Sequence, residues 1–395
     1  MNRLRIFTMV FFYFFCFQIY SQNWQVSWDK QLGNSKMDYF TDVITDISGG
    51  YTVLGATIPR SKKSYDFWLV RYNEKGDTIW TKTYGTDLTE IPKKLLQTPD
   101  GSYLILGVTK DSVAEKPVLI RTDREGVETW QKRFNDGKYY LCEDIVFDGE
   151  KEFLIAGSKS DDKEIPKRWI AKLDENGEAV WEKSFQTDLR GFCKAAKKLP
   201  DGSYAISGKV EKQGQKDCDV WITRLDKNGT SVWETYLSNP KVKSWPECVC
   251  CSPDSFLMVV GWQGLCLNDI NSSDPVFDFD LAISKIDKKG KLVWTKNYNR
   301  EGSEGGNSVA IRPDGSFVIA GIKATSFLGK VGPWLLWVDA EGKEKGENLI
   351  KYHCNNDQAV KIINSNDGGI VVIGPGLQDA ENTRANGWII KFSNL

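Results

Sequence analysis

Between positions 262 and 280 the chain gathers Trp262, Asp269, Asp274, Asp278 and Asp280, with Cys266, Asn268 and Phe277 among them. Carboxylate and amide oxygens hold hard cations such as calcium, and aromatic rings stack on sugars, so the set fits cation or glycan recognition. An ordinary long polar loop has the same composition, and no Asp-x-Asp-x-Asp-Gly calcium loop occurs. A second set is phased: Asp38, Glu90, Glu304 and Asp357 each lie thirteen residues before Tyr51, Tyr103, Phe317 and Ile370. In a ring of strands these acids form a cation site at one mouth of the axis, or each accepts backbone N–H bonds at its own strand start. Tyr140, Gly191 and Lys243 hold the same phase elsewhere. The chain has a single histidine, His353, beside Cys354. Ser-His-Asp and Cys-His arrangements therefore depend on it alone, and sites with several histidines are excluded. Paired carboxylates doing glycosidase chemistry need no histidine, yet no two acids are paired by spacing.

The elements that must position these residues repeat. Trp28, Trp80, Trp130, Trp181, Trp233 and Trp294 recur at a period of roughly 52 residues, with Gly346 in the seventh place. Gly55, Gly107, Gly157, Gly208, Gly261, Gly321 and Gly374 keep the same phase. Two markers thus agree on seven units, and the expected fold is an all-β, seven-bladed β-propeller. Each unit reads as four strands; in the second these are 93–98, 103–108, 117–122 and 130–134. The turn pattern Asp-x-x-Gly-x-x-x-Trp recurs at Asp174/Gly177/Trp181, Asp226/Gly229/Trp233 and Asp287/Gly290/Trp294. Asp accepts from the backbone two residues on, and Gly supplies the positive φ that closes the hairpin. Residues 387–393 look like a third strand without a fourth, and residues 24–33 like a fourth without a third. Their pairing closes the ring and removes its last open sheet edge.

The unit Asp201-Gly202-Ser203-Tyr204 with Gly208, then Asp219-Val220-Trp221, then Leu225-Asp226 with Gly229 and Trp233, resembles the secreted bacterial repeat propellers. A more distant similarity runs to pyrroloquinoline-quinone-type propellers, whose repeats carry a similar Gly-x-x-x-Trp. Their quinone enzymes commonly have eight blades against seven here, so the resemblance implies fold, with no cofactor and no catalytic residue carried over. Calcium is the one ion that the oxygen-rich segment suits.

Arg3 and Arg5 precede an apolar run from 6 to 20, the pattern of a secretory signal peptide over residues 1–21. Residues 22–395 are then one propeller domain, expected as a monomer without a membrane span, secreted or periplasmic. With 52 basic against 53 acidic side chains in the whole chain, no global field points to nucleic acid. Of nine cysteines, Cys142/Cys193 and Cys218/Cys266 hold matching places in neighbouring units and are the pairs favoured for disulfides. Cys248, Cys250 and Cys251 read as buried thiols in a first strand. Connections between second and third strands, and between units, vary in length and emerge on one face; the longest spans 262–279. Loops carry binding because they vary without disturbing the core. The expected function is non-catalytic recognition of a protein or glycan at that face; a polymer-degrading enzyme using its acids, or an envelope scaffold, are the alternatives.

Overall fold

A computed structural model describes residues 24–393, apart from 34–36, 60, 112–114, 135–137, 150, 162–165, 186–188, 213–218, 239–241, 267–276, 301, 325–330, 351–356 and 377–385. The 28 strands form seven four-stranded antiparallel sheets. Blade 1 runs outwards from the axis as Tyr39–Thr45, Tyr51–Thr57, Asp66–Tyr72 and Thr78–Tyr84. Blades 2 to 6 repeat this meander, with first strands starting at Thr89, Tyr139, Leu189, Val242 and Glu304. Blade 7 takes Lys361–Asn364, Ile370–Gly374 and Gly387–Phe392 from the end of the chain and Val26–Leu32 from its beginning. Val26 stands opposite Phe392, Asp29 opposite Ile390 and Leu32 opposite Gly387, so the ring closes as expected.

Seven buried clusters fill the spaces between neighbouring blades. Two repeated contacts explain the phased residues. The first strands of blades 1 to 6 carry a β-bulge, between Phe40 and Asp42 in blade 1 and between Cys142 and Asp144 in blade 3. Just before that bulge a carbonyl, such as that of Leu141, is pressed against the second-strand glycine, where a Cβ would collide with it. The second contact joins blades. The outer-strand Trp28, Trp80, Trp130, Trp181, Trp233 and Trp294 each cover the turn glycine of the following blade: Gly76, Gly126, Gly177, Gly229, Gly290 and Gly342. Those glycines have φ of 73° to 79° in five cases and 83° at Gly290. The indoles of Trp28 and Trp233 also donate to the carbonyls of Glu74 and Lys288 at 3.1 and 3.0 Å.

The exception at Gly346 has a geometric reason. The blade that follows it is closed by the chain ends, so it has no third-to-fourth turn for an indole to cover. Opposite each tryptophan stands a base on the third strand, Arg71, Arg121, Lys172, Arg224, Lys285 or Lys391. Each base pairs with an Asp in the first turn of its blade, as in Arg71–Asp46 at 3.0 Å and Arg121–Asp100 at 3.1 Å. Opposite Gly346 the base is replaced by Trp337, so the aromatic group has moved one strand inwards.

Residues 1–21, His353, Cys354, Asp269, Asp274 and Cys218 lie outside the described residues. The Cys142/Cys193 pairing is not formed. Both are free buried thiols, and each is packed in a different inter-blade cluster, one between blades 2 and 3 and the other between blades 3 and 4. Cys248, Cys250 and Cys251 are free in the first strand of blade 5.

Substituting Gly229 by Ala should lower the unfolding free energy by about 2 kcal/mol, since it combines positive-φ strain with a Cβ 2.5 Å from Trp181. Gly202 has φ +82° and nothing within 4 Å, so Gly202→Ala should lose only about 1 kcal/mol. Urea unfolding of the two variants measures the difference, and equal losses would show that the indole contact is not tight.

Candidate functional site

A repeated tryptophan on the third strand faces the preceding blade: Trp68, Trp169, Trp221, Trp334 and Trp388, each opposite the second-strand glycine. Four of the five are fully or almost fully buried, and all five belong to inter-blade clusters. Three of them donate their indole N–H to a glutamate thirteen residues on: Trp169 to Glu182 at 3.1 Å, Trp221 to Glu234 at 2.8 Å, Trp334 to Glu347 at 2.9 Å. Blade 2 has Val118 in this place, and the ring of Phe67 covers the facing Gly107 instead.

Blade 5 has neither ring nor acid. Its residue opposite Gly261 is Ala282, and the residue thirteen further on is Thr295. The cluster between blades 4 and 5 accordingly holds no fully buried aromatic residue. A cavity of about 540 Å³ occupies the space. Ala282, Ser284, Thr295 and Asn297 of blade 5 form one wall, Thr235 to Ser238 of blade 4 the other, and Ser244, Trp245 and Gln263 close the axial end. Exposed Leu292 belongs to the lining, so the cleft reaches solvent. Lys209 of blade 4 lies over the Trp245 ring, 5.5 Å from its centroid. No Asp, Glu, Lys or Arg is part of the described lining.

Of the residues singled out in the sequence, Trp262 contributes to this cleft, while its indole also rests against Gly305 of blade 6. The segment 262–279 proves to be less of a loop than expected. The second and third strands of blade 5 run Leu257–Cys266 and Phe277–Ile286, so Trp262, Asp278 and Asp280 are strand residues. Polar side chains at these positions disguised a lengthened hairpin whose backbone pairs through Cys266 and Phe277.

The phased acids are all buried. Glu90 accepts from the Thr86 N–H at 3.1 Å, Glu304 from the Arg300 N–H at 3.3 Å, and Asp357 from the Gln358 N–H at 2.7 Å and the Trp388 indole at 2.6 Å. Asp38 accepts from the Thr57 hydroxyl at 2.5 Å. They do not line the axial channel, a cavity of about 720 Å³ walled by first strands. Its charged wall comes from residues at and beside the bulges, which sequence spacing did not single out. Lys93, Glu143, Lys194 and Glu247 alternate in sign round four blades at 2.8, 3.2 and 3.2 Å. Burial opposes the Glu143 carboxylate, but the flanking Lys194 and Lys93 hold it below its usual range. A second series joins Lys361 to Asp42 at 3.5 Å and Lys94 to Asp144 at 3.4 Å. The only signal for these residues was the bulge register, which a repeat pattern does not display.

Among known proteins, no family model matches this chain and no curated protein matches it. Solved structures do. A protein of unknown function from Dyadobacter fermentans DSM 18053 aligns over 94% of this chain and 99% of its own, with TM-score 0.56 and 9% identity. A PL25 polysaccharide lyase, an ulvan lyase bound to -[GlcA(1-4)Rha3S]-, aligns over 87% and 93%, with TM-score 0.56 and 10% identity. YCF48 bound to D1 peptide aligns over 95% and 97%, with TM-score 0.52 and 11% identity. At such identities the likeness shows the propeller fold alone. No helix among the described residues is long and apolar enough to cross a membrane.

Burial pushes the Glu304 carboxyl up from 4.5 to about 7, and burial followed by the nearby Asp278 raises that of Asp280. The folded chain therefore keeps a proton on Glu304 that the unfolded chain releases near pH 4.5. That contribution to stability is complete below about pH 4.5 and is lost as pH rises through about 7. In chelator-containing buffer, Glu304→Gln should unfold at higher urea than the parent at pH 8 and should gain less at pH 5. An equal gain at both pH values would show that Glu304 titrates normally.

Proposed function

We infer that the protein is an exported, non-catalytic recognition propeller that binds a neutral glycan in the cleft between blades 4 and 5. The observation that carries this reading is the slot left at Ala282, where neighbouring interfaces hold an indole and its glutamate partner. Departure from a packing rule that five other blades obey leaves apolar surface and backbone uncovered, which is unfavourable for folding alone and is offset when a ligand fills the space.

The chemistry of the lining favours an uncharged, hydroxyl-rich ligand. Thr235, Ser238, Ser244, Gln263, Ser284 and Asn297 line it with hydroxyl and amide groups; Thr235 donates to the Gly290 carbonyl, Ser238 to Asp219 and Gln263 to Ser244, and Ser284 bonds Thr295, so these hydroxyls meet a ligand chiefly as acceptors. The Trp245 ring, with Lys209 over it, borders the cleft and offers an aromatic surface for the C–H faces of a sugar, while the Tyr236 ring lies on the other face of blade 4, bonded to Glu234. No described lining residue is charged, and Lys209 over the Trp245 ring is already paired with Glu211, so an anionic polysaccharide would lose its water for little counter-charge. The same lack of acids favours binding over cleavage, which needs two carboxylates flanking the bond. The apolar run at 6–20 supports export, and the repeat unit supports kinship with the secreted bacterial repeat propellers.

The double variant Ala282→Trp/Thr295→Glu rebuilds the indole and its acceptor and should leave thermal stability equal or higher. On an array carrying neutral and uronic-acid oligosaccharides, the parent should bind neutral ligands and the variant should bind them at least tenfold more weakly. Binding that is indifferent to the filled slot, or selective for acidic sugars, would sink the reading.

A further inference from the structure

The third-strand Asp and the phased acid of the next blade come together at two blade junctions. At the junction of blades 1 and 2 these are Asp66 and Glu90, bridged through Lys62 and Thr86; at that of blades 5 and 6 they are Asp280 and Glu304, which accept from the adjacent residues Asn299 and Arg300, and burial, with a smaller contribution from the Asp, raises each Glu carboxyl. The backbone frame is the same. Glu90 accepts from the N–H of Thr86 and Glu304 from that of Arg300, each four residues earlier.

The two junctions differ in how the charge is met. In the first, the ammonium of Lys62 sits against both Asp66 oxygens at 3.0 Å and against the Thr86 carbonyl at 2.8 Å. Lys62 comes from the connection between the second and third strands. The corresponding connection of blade 5 contains no Lys or Arg anywhere between 262 and 285. Where blade 4 meets blade 5, the in-phase residues are Asp219 and Lys243, a pair of opposite sign. Asp280 and Glu304 therefore have neither a counterpart of Lys62 in sequence nor an in-phase partner of opposite sign, and the described cations that act on Glu304 are Lys323, opposite it on the next strand, and Arg300.

Both acids are shielded, Glu304 at 0% and Asp280 at 6% exposure. Glu304 Oε1 and Asp280 Oδ1 are buried and hydrogen-bond to no group among the described residues. The other oxygens are weakly held, Asp280 Oδ2 by Asn299 at 3.3 Å and Glu304 Oε2 by the Arg300 N–H at 3.3 Å. The nearby cations are engaged elsewhere: Lys323 bonds Glu347 at 3.1 and 2.9 Å, and Arg300 pairs with Glu344 at 2.5 Å. Leaving two buried carboxylate oxygens bare is costly unless a proton or an external cation meets them.

We propose that Asp280 and Glu304 form a calcium site at the junction of blades 5 and 6, where the metal takes the place that Lys62 holds at the junction of blades 1 and 2. Two carboxylates balance a divalent charge, and carboxylate oxygens suit a hard cation and not zinc. Asp278, which after burial itself raises Asp280, adds negative field to the site. The site is separate from the cleft, since neither acid belongs to the cleft lining.

The test uses the full chain stripped with chelator. At pH 7.5, 1 mM calcium should raise the thermal midpoint by about 3–6 °C. Terbium should show luminescence sensitised by Trp262, which packs on Gly305 beside Glu304. Glu304→Gln and Asp280→Asn should each abolish the thermal shift and weaken terbium binding at least tenfold. An unchanged midpoint in the parent would overturn the proposal in favour of a shared proton. A shift that persists in Glu304→Gln would overturn it in favour of a site among other acids of the chain.

Discussion

Each blade is a thin sheet with two apolar faces, and the ring exists because each face is covered by a neighbour. The contact that sets blade spacing is an outer-strand indole lying on the turn glycine of the next blade. A flat ring needs a flat seat, and a glycine with positive φ provides one without a side chain. The base opposite each indole, tied to an Asp in the first turn, fixes that outer strand to the body of its own blade. At the seam between the chain ends no turn exists, and the indole is missing there while Trp337 fills the inner position. The rule and its exception have the same cause.

A scaffold so strongly determined makes its departures informative. Blade 5 holds three of them: the longest second and third strands, the missing Trp–Glu pair at Ala282 and Thr295, and the uncompensated Asp280–Glu304 pair. The first departure lengthens a hairpin on the variable-loop face, the second opens a neutral cleft towards blade 4, and the third places bare carboxylate oxygens towards blade 6. None of them is required by the ring. Each removes stabilising contacts that other blades keep, which is how binding sites are commonly accommodated in otherwise consistent folds.

The architecture was largely legible in the sequence. Tryptophans and glycines in phase encode contacts repeated at each blade, so period alone gave blade number, strand order and closure by Val26–Leu32 against Gly387–Phe392. The site was legible in part. Asp280-Leu281-Ala282 is the repeat's Asp-x-Trp with its ring deleted, a signal present in the sequence but hidden by reading the polar run 262–280 as loop. Trp262 was found because it is aromatic; it borders the cleft, while its ring packs on Gly305 of blade 6. The channel ion pairs were not legible, since a bulge turns the residue after each register shift towards the axis and no residue type marks it. The Cys142/Cys193 pairing failed for a related reason: equivalent positions on adjacent blades face successive interfaces, and a whole sheet separates them.

Ligand binding between blades 4 and 5 requires the slot beside Ala282 to be open and suited to an uncharged sugar. A crystal structure of the chain grown with a neutral oligosaccharide tests this most directly. Sugar density between blades 4 and 5, against Ala282 and Trp245 and in the volume that indoles occupy in other blades, is the predicted result. Blades 4 and 5 drawn together over Ala282, with the cavity gone and any sugar bound elsewhere, would contradict it.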